Sequence, residues 1–568
     1  MSSARDGVHP TRVEPSTEGG QNIINTQPPE TERKSLGIKF WLAFWAIAFT
    51  NLAASFDSTT LSVALPIIAA DLGGSTTEAF WAGTSYLLAC TILMLIWVTL
   101  SDAFGRRPIM LTALLVFAVG AIVCAVSHNW PTMLAGRTIQ GLGGGGLIAL
   151  TTVLITDLVP LRDRARFYAL VSVIWALGSA TGPIIGGALA QSGSWRWIFW
   201  INLPIIAVGV VGIGLFLRLS RRSRSFSEKL RLFDYTGSFL FIASITAFLI
   251  PVTWGGVQYA WSSWHTIVPL ILGAAGLIAF VIYEFWIARS AAVTKRPLLI
   301  PPEVLPNWTV GILYAGSTFH GLILYSLVYY MPEYFQSVKG YSPVIAGVAA
   351  LPQTVTVVPC AIMVGVVVGF TGRYRWAVWL GWLLTCFGVG LLILLDSNTT
   401  VVQWIFLEAV SGLGIGLLFP SIALAIQSSV PQRQVSMAAT LVLFFRSMGQ
   451  AIGVAIGGVI LDNQLQKHMS DAVAKGAANE SQAQSLNAVT LVEILKKLPA
   501  DSSEAIMIRQ ALVESFQVIW MVMCGFAGLN LILSIFIKEF DMNQNHETEQ
   551  GFMHEVRENN PSIKADHN

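Results

Sequence analysis

Residues 178–187, Gly-Ser-Ala-Thr-Gly-Pro-Ile-Ile-Gly-Gly, return 271 positions later as residues 449–458, Gly-Gln-Ala-Ile-Gly-Val-Ala-Ile-Gly-Gly. All four glycines survive the shift. Each copy lies in an apolar stretch long enough to cross a bilayer, for which about 20 helical residues suffice. The same shift carries Gly141-Leu142-Gly143 onto Gly412-Leu413-Gly414 and Val159-Pro160 onto Val430-Pro431. A shift of 266 carries Leu65-Pro66 onto Met331-Pro332, and one of 267 carries Gly105-Arg106 onto Gly372-Arg373. So many ordered coincidences mark two homologous halves. In lipid, a helix is the only open segment that satisfies its own backbone N–H and C=O groups, so no strand reading competes.

Fourteen such stretches run through the chain, at 40–65, 79–100, 108–126, 132–155, 165–190, 197–217, 235–253, 264–288, 308–330, 343–367, 376–395, 401–428, 437–461 and 516–537. Spans 1 to 6 and 9 to 14 are the two halves, and spans 7 and 8 are an inserted pair. The chain reads as an all-α polytopic membrane protein. A disordered cytoplasmic tail is expected over 1–39, the N-terminal half over 40–217, linkers with the inserted pair over 218–306, the C-terminal half over 307–537, and a second cytoplasmic tail over 538–568. The stretch 462–515 is too polar to cross and reads as an extracellular loop, in which Asp501 with Glu504 starts a short helix running into span 14. Hydrophobic residues make up 54% and charged ones 12%, leaving no soluble domain of useful size.

Orientation follows from the basic residues, which stay on the cytoplasmic side. With a cytoplasmic N-terminus, 25 of the 34 Lys and Arg lie inside, and only Arg196 and Lys339 lie in short outside loops. The opposite orientation inverts that ratio. Asn479-Glu480-Ser481 is then an outside glycan acceptor, whereas Asn307-Trp308-Thr309 faces the cytoplasm and is silent. The five cysteines all fall within spans, with no CxxC spacing, and read as buried small hydrophobes. Gly141 to Gly146 matches G-x-G-x-x-G, but no strand precedes it and it sits in a membrane helix, which excludes the nucleotide reading. Without a phosphate-binding loop, energy comes from an ion gradient.

Five ordered stretches carry a family resemblance: Asp57 to Pro66; Leu100-Ser101-Asp102-Ala103-Phe104-Gly105-Arg106-Arg107-Pro108; Arg137 with Gln140-Gly141; Gly178 with Gly182-Pro183 and Gly186-Gly187; and Trp195 to Pro204. They resemble the signatures of the major facilitator superfamily, and with fourteen spans they are similar to its fungal drug:proton antiporters. The resemblance covers about residues 40 to 540. It implies two halves rocking about a site near the midplane and export against proton influx. It also implies proton coupling by Asp57 and Arg137, a cytoplasmic gating loop of Asp102, Gly105, Arg106 and Arg107, and an antiporter stripe of Gly178, Gly182, Pro183, Gly186 and Gly187. The loop signature usually opens with Gly, and Val98 stands there instead, so that corner is shaped differently from the family pattern.

The residues themselves leave alternatives open. Asp57, deep in span 1, must be paired, wet or protonated, because an ionised carboxylate there costs on the order of 3 kcal/mol or more. It either caps a local break in its helix, helped by Ser58, Thr59 and Thr60, or alternately takes and releases a proton. Arg137 seeks a carboxylate or polar cluster across the bundle, or clamps backbone carbonyls. The loop of about eight residues holding Asp102 and Arg106 is either a latch or an anchor. The glycine stripe permits close helix approach, with Pro183 adding a kink. Under the 271 shift Arg137 maps to Glu408; Glu408 and Arg446 form a structural pair or a substrate site. His320 is a hydrogen-bonded bundle residue or a proton carrier. As partners we expect the lipid bilayer, protons and a small organic substrate, with no nucleic acid, cofactor or metal and a monomeric state. The protein is then an exporter of the plasma membrane, or of the vacuolar membrane. An importer of a siderophore or other nutrient, or a transport-inactive sensor, is the rival reading.

Overall fold

The computed structural model of the protein describes residues 37–542 except 74–75, 220–224, 232, 257, 295–297, 475–494, 496–498 and 500–501. Residues 1–36 and 543–568 of the expected tails and the acceptor Asn479 fall outside the described residues. Among those described, fourteen helices are long and apolar enough to cross a membrane. The first half comprises α1 (Ile38–Asp71), α2 (Thr76–Phe104), α3 (Arg106–Ala125), α4 (Trp130–Leu158), α5 (Leu161–Gln191) and α6 (Trp197–Phe216, interrupted at Ile201). The inserted pair is α7 (Tyr235–Trp254) and α8 (Trp264–Thr294). The second half comprises α9 (Trp308–Ser337), α10 (Pro343–Thr371, interrupted at Ala350), α11 (Arg375–Leu394), α12 (Val401–Ser429), α13 (Val435–Ala474) and α14 (Ser503–Ile535).

Three departures from the sequence reading have physical causes. First, α1 is unbroken through Asp57: Ser58, Thr59 and Thr60 donate to carbonyls of Ser55 and Phe56 in their own helix. Their back-bonding leaves the helix ladder intact, so Asp57 caps no break. Second, the short loop between α2 and α3 shrinks to Gly105, whose φ of 101° suits a residue without Cβ. Third, α13 runs on to Ala474, into the polar stretch 462–515, while the start of α14 at Ser503, capped by Ser502 and with Glu504 in its first turn, matches the expected helix running into span 14. Leu465 and Met469 on one helix and Ile508 and Leu512 on the other are buried, and His468 Nδ1 lies 3.1 Å from Glu514 Oε2. A hydropathy average misses such one-sided helices, whose polar faces dilute the apolar ones.

Glycine sets the packing within each half. A Cβ at Gly141 or Gly145 of α4 would overlap backbone of α2, and one at Gly143 backbone of α3. The glycine run that mimics a nucleotide loop is thus a surface for backbone-distance helix contact. In the second half Gly412 and Gly416 of α12 meet α10, and Gly414 meets α11, in the same pattern. Between the halves two seams form, α2 against α13 and α5 against α10. They interchange when the repeats are swapped, as halves related by a pseudo-two-fold axis require. The inserted α7 packs on α2 and α13, with Phe241 and Phe444 ring centroids 5.5 Å apart, while α8 packs on α7. Exposed Ile271, Leu272, Ile278, Ile282 and Phe285 give α8 an apolar outer face suited to lipid.

Candidate functional site

The deepest charges meet in the first half. Arg137 Nη1 on α4 donates to Asp57 Oδ2 on α1 at 2.6 Å and to Gln140 Oε1 at 2.8 Å. Gln140 Nε2 and Asn202 Nδ2 of α6 donate to Asp57 Oδ1 at 2.8 and 3.3 Å. Arg137 Nε reaches the Ala82 carbonyl at 3.1 Å, and its guanidinium sits 4.4 Å above the Tyr86 ring. Neither charge is more than 1% exposed. Both proposed partners for Arg137 therefore apply at once, a carboxylate and a backbone carbonyl. Yet the cluster is incompletely satisfied, for Arg137 Nη2 and Asn202 Oδ1 are buried without a hydrogen-bond partner among the described residues. Buried polar groups without a partner are rare in native proteins.

At the α2–α3 corner, Arg106 pairs with Asp102 at 2.5 Å and with Asp157 of α4 at 2.9 Å, and donates to Ser101 Oγ at 2.6 Å. Arg107 donates to the Gly214 carbonyl of α6. Ser436 of α13 donates to Asp157 Oδ1 at 2.9 Å and lies 2.9 Å from Thr156 Oγ1, carrying the network into the second half. Arg164 reaches Gln427 Oε1 of α12 at 3.1 Å, and Gln427 donates to the Tyr168 hydroxyl at 2.8 Å. Val98 is wholly buried at this corner, and the adjoining Trp97 donates to the Leu142 carbonyl at 2.7 Å.

The stripe on α5 faces α1: a Cβ at Gly178, Gly182 or Gly186 would overlap Ser55, Thr59 or Thr60, respectively. Gly187 turns to the other half, where a Cβ would press on Pro343 and Val344, and Pro183 packs against Gly347 of α10. Pro183 lies inside a continuous helix.

The second half does not repeat the charge pair. Glu408 is fully buried on α12 with no side-chain partner for either carboxylate oxygen. Arg446 of α13 instead donates Nη2 to the Phe419 carbonyl at 3.2 Å and lies 4.2 Å over the Phe419 ring. Phe419 is three helical turns from Glu408, about 16 Å along α12 at 1.5 Å per residue, so the expected Glu408–Arg446 pair does not form. His320 Nε2 contacts the Ile415 carbonyl at 3.2 Å, and its Nδ1 has no partner.

Between the halves lies a cavity walled by α1, α2, α4, α5, α9, α10, α12 and α13, which includes Thr59, Trp175, Tyr325, Gln353, Phe419 and Arg446. Tyr325, which donates to Ser58 at 3.3 Å, bridges the halves at one side, and Tyr168, bonded to Gln427, at the other. Asp57, Arg137, Glu408 and His320 do not line it. Sequence reasoning missed Asp157 and the roles of Gln140, Asn202 and Tyr86. Gln140 and Asn202 stood in quoted signatures, but a neutral amide raises no alarm in an apolar helix.

Comparison with known proteins agrees with this architecture. "MFS transporter L2" of Phoma sp. is 43% identical, over 96% of this chain and 90% of its own. "Efflux pump FUS6" of Gibberella fujikuroi is 34% identical, over 99% and 98%. The crystal structure of the human organic anion transporter MFSD10 superposes with a TM-score of 0.53 over 88% of this chain and 100% of that one, at 13% identity, a likeness of fold alone. The profile of the Major Facilitator Superfamily matches residues 47–454, which take in the Asp57–Arg137 cluster, the corner network and the cavity. With two repeated halves around a central cavity, this chain is a membrane transporter and belongs to the Major Facilitator Superfamily.

Proposed function

We propose that the protein exports small, largely apolar organic molecules by alternating access, coupled to proton influx, with Asp57 as the proton-carrying group and Arg137 as its partner when the proton is absent. The Asp57–Arg137 pair carries the reading. Removing one charge from a buried pair leaves the other uncompensated, at about 3–5 kcal/mol. A proton arriving on Asp57 does this reversibly. The guanidinium then keeps Ala82 and the Tyr86 face, while its free Nη2 offers a new contact. Asp57 shares α1 with the cavity residues Asn51 and Thr59, so a shift of α1 reaches the substrate.

Each proton supplies about 2.3 kcal/mol per 100 mV, plus its pH term. The corner network of Asp102, Arg106, Asp157 and Ser436 holds one end shut and breaks when that end opens. The halves 40–217 and 307–537 move as the two bodies, in a monomer of the plasma membrane with both termini cytoplasmic and Asn479 glycosylated outside. Efflux, rather than uptake, is supported by the names of relatives such as "Efflux pump FUS6" and "MFS-type efflux pump LUC4" of Fusarium sp..

The test is transport by purified protein in liposomes under an imposed pH gradient. Wild type should accumulate an apolar dye against its gradient, whereas Asp57→Asn should bind the dye yet lose gradient-driven transport at least tenfold. Undiminished driven transport by that variant removes Asp57 from the coupling.

A further inference from the structure

We infer that the central cavity recognises an organic anion, an apolar molecule carrying one acidic group, and that Arg446 is the residue that seats this group. Arg446 lines the cavity but is only 4% exposed. Its guanidinium is held by one carbonyl and one ring face, both from Phe419, and its Nε is buried with no partner. No Asp or Glu is among the residues lining the cavity. Asp57 is already occupied by Arg137, Gln140 and Asn202, and Glu408 sits turns away along α12. Thus the cavity holds a fixed positive charge that no carboxylate among the described residues balances. Inside a bilayer such a charge is costly and is expected to find a counterion.

The ring of Phe419 keeps the cation in place without neutralising it, since cation–π attraction leaves the N–H groups free to donate. Neutral amides of Gln353 and Gln450 also face the cavity, and neither makes a side-chain hydrogen bond to the described protein. Met94, Leu324 and Val328 supply apolar wall. A planar fork of donors beside neutral amides and apolar surface matches a carboxylate on a hydrophobic body. A neutral or cationic molecule would leave Arg446 unbalanced. The chemistry assigned here deepens the export reading by naming its substrate class, and binding itself does not depend on proton coupling.

The experiment measures equilibrium binding of radiolabelled 2-naphthylacetic acid and its uncharged primary amide to the purified full chain at pH 7.5. Wild type should bind the acid at least tenfold more tightly than the amide. Arg446→Gln should bring the acid to the amide's affinity without changing the amide's, and Arg446→Lys should retain part of the preference. Equal affinities in wild type, no measurable binding of the acid at millimolar concentration, or an unchanged acid affinity in Arg446→Gln would each overturn the inference. The wild-type comparison needs no variant, so misfolding cannot imitate the result. A parallel liposome assay separates this from coupling: acid preference without pH-driven transport sinks the proton reading alone, and pH-driven transport without acid preference sinks this one alone.

Discussion

A carboxylate and a guanidinium buried together make a sharp energetic prediction. Arg137→Ala strands Asp57 in a site that excludes water and should lower unfolding stability by about 3–5 kcal/mol. The double variant Asp57→Asn/Arg137→Gln removes both charges while keeping polar side chains at both positions and should recover more than half of that loss, read as a denaturation midpoint in detergent. A double variant no more stable than Arg137→Ala would show that the charges are not paired. Arg137→Lys keeps charge but loses the fork that serves Asp57 and Gln140 together, so partial transport is expected. Much of this site was legible, because a charge inside an apolar helix announces itself. Asp157 was not: it sits just past the apolar run of its span, where a hydropathy profile cannot tell a loop residue from the buried end of a helix. The equivalence of Arg137 and Glu408 under the repeat was legible too, but a repeat fixes correspondence and not partners.

At the level of helices, the glycine stripes carry the argument. Gly182→Leu should push α5 away from Thr59 and the Phe56 carbonyl, and Gly453→Leu should push α13 from the backbone of Leu322. Since Gly182 first meets a side chain and Gly453 meets main chain, the second substitution should be at least as damaging, although Pro183 has no counterpart at Val454. The measurement is the yield of monodisperse protein, with transport assayed on what survives. A well-expressed, fully active Gly453→Leu would place the two helices further apart than they are here. These contacts were readable as spacing, whereas the helical extension of α13 past residue 461 was not, since its buried face takes only every third or fourth residue.

For the molecule as a whole, the proposed alternating access requires the corner opposite Tyr325 to open. Thr156 and Ser436 place their hydroxyl oxygens 2.9 Å apart across the halves, so sulfurs there need little movement to bond. Oxidised Thr156→Cys/Ser436→Cys should lose at least tenfold of its transport and regain it on reduction; transport unaffected by the cross-link would mean that this end never parts. Sidedness is tested with Asp163→Cys and Ser192→Cys, exposed positions in the first turn of α5 and just past its end. A membrane-impermeant maleimide should label the second in intact cells and the first only after permeabilisation, and reaction of both from one side would refute the crossing between them. A last consequence belongs to the inserted pair. Among the described residues it packs on the α2–α13 seam, where Trp81 also donates to Gln258 at 3.0 Å, and forms no comparable packing on α5 or α10. Of two walls made equivalent by the repeat, one is thereby plastered over and the other left bare. A lipid-dissolved guest approaching in the plane of the bilayer therefore meets a house with a single street front.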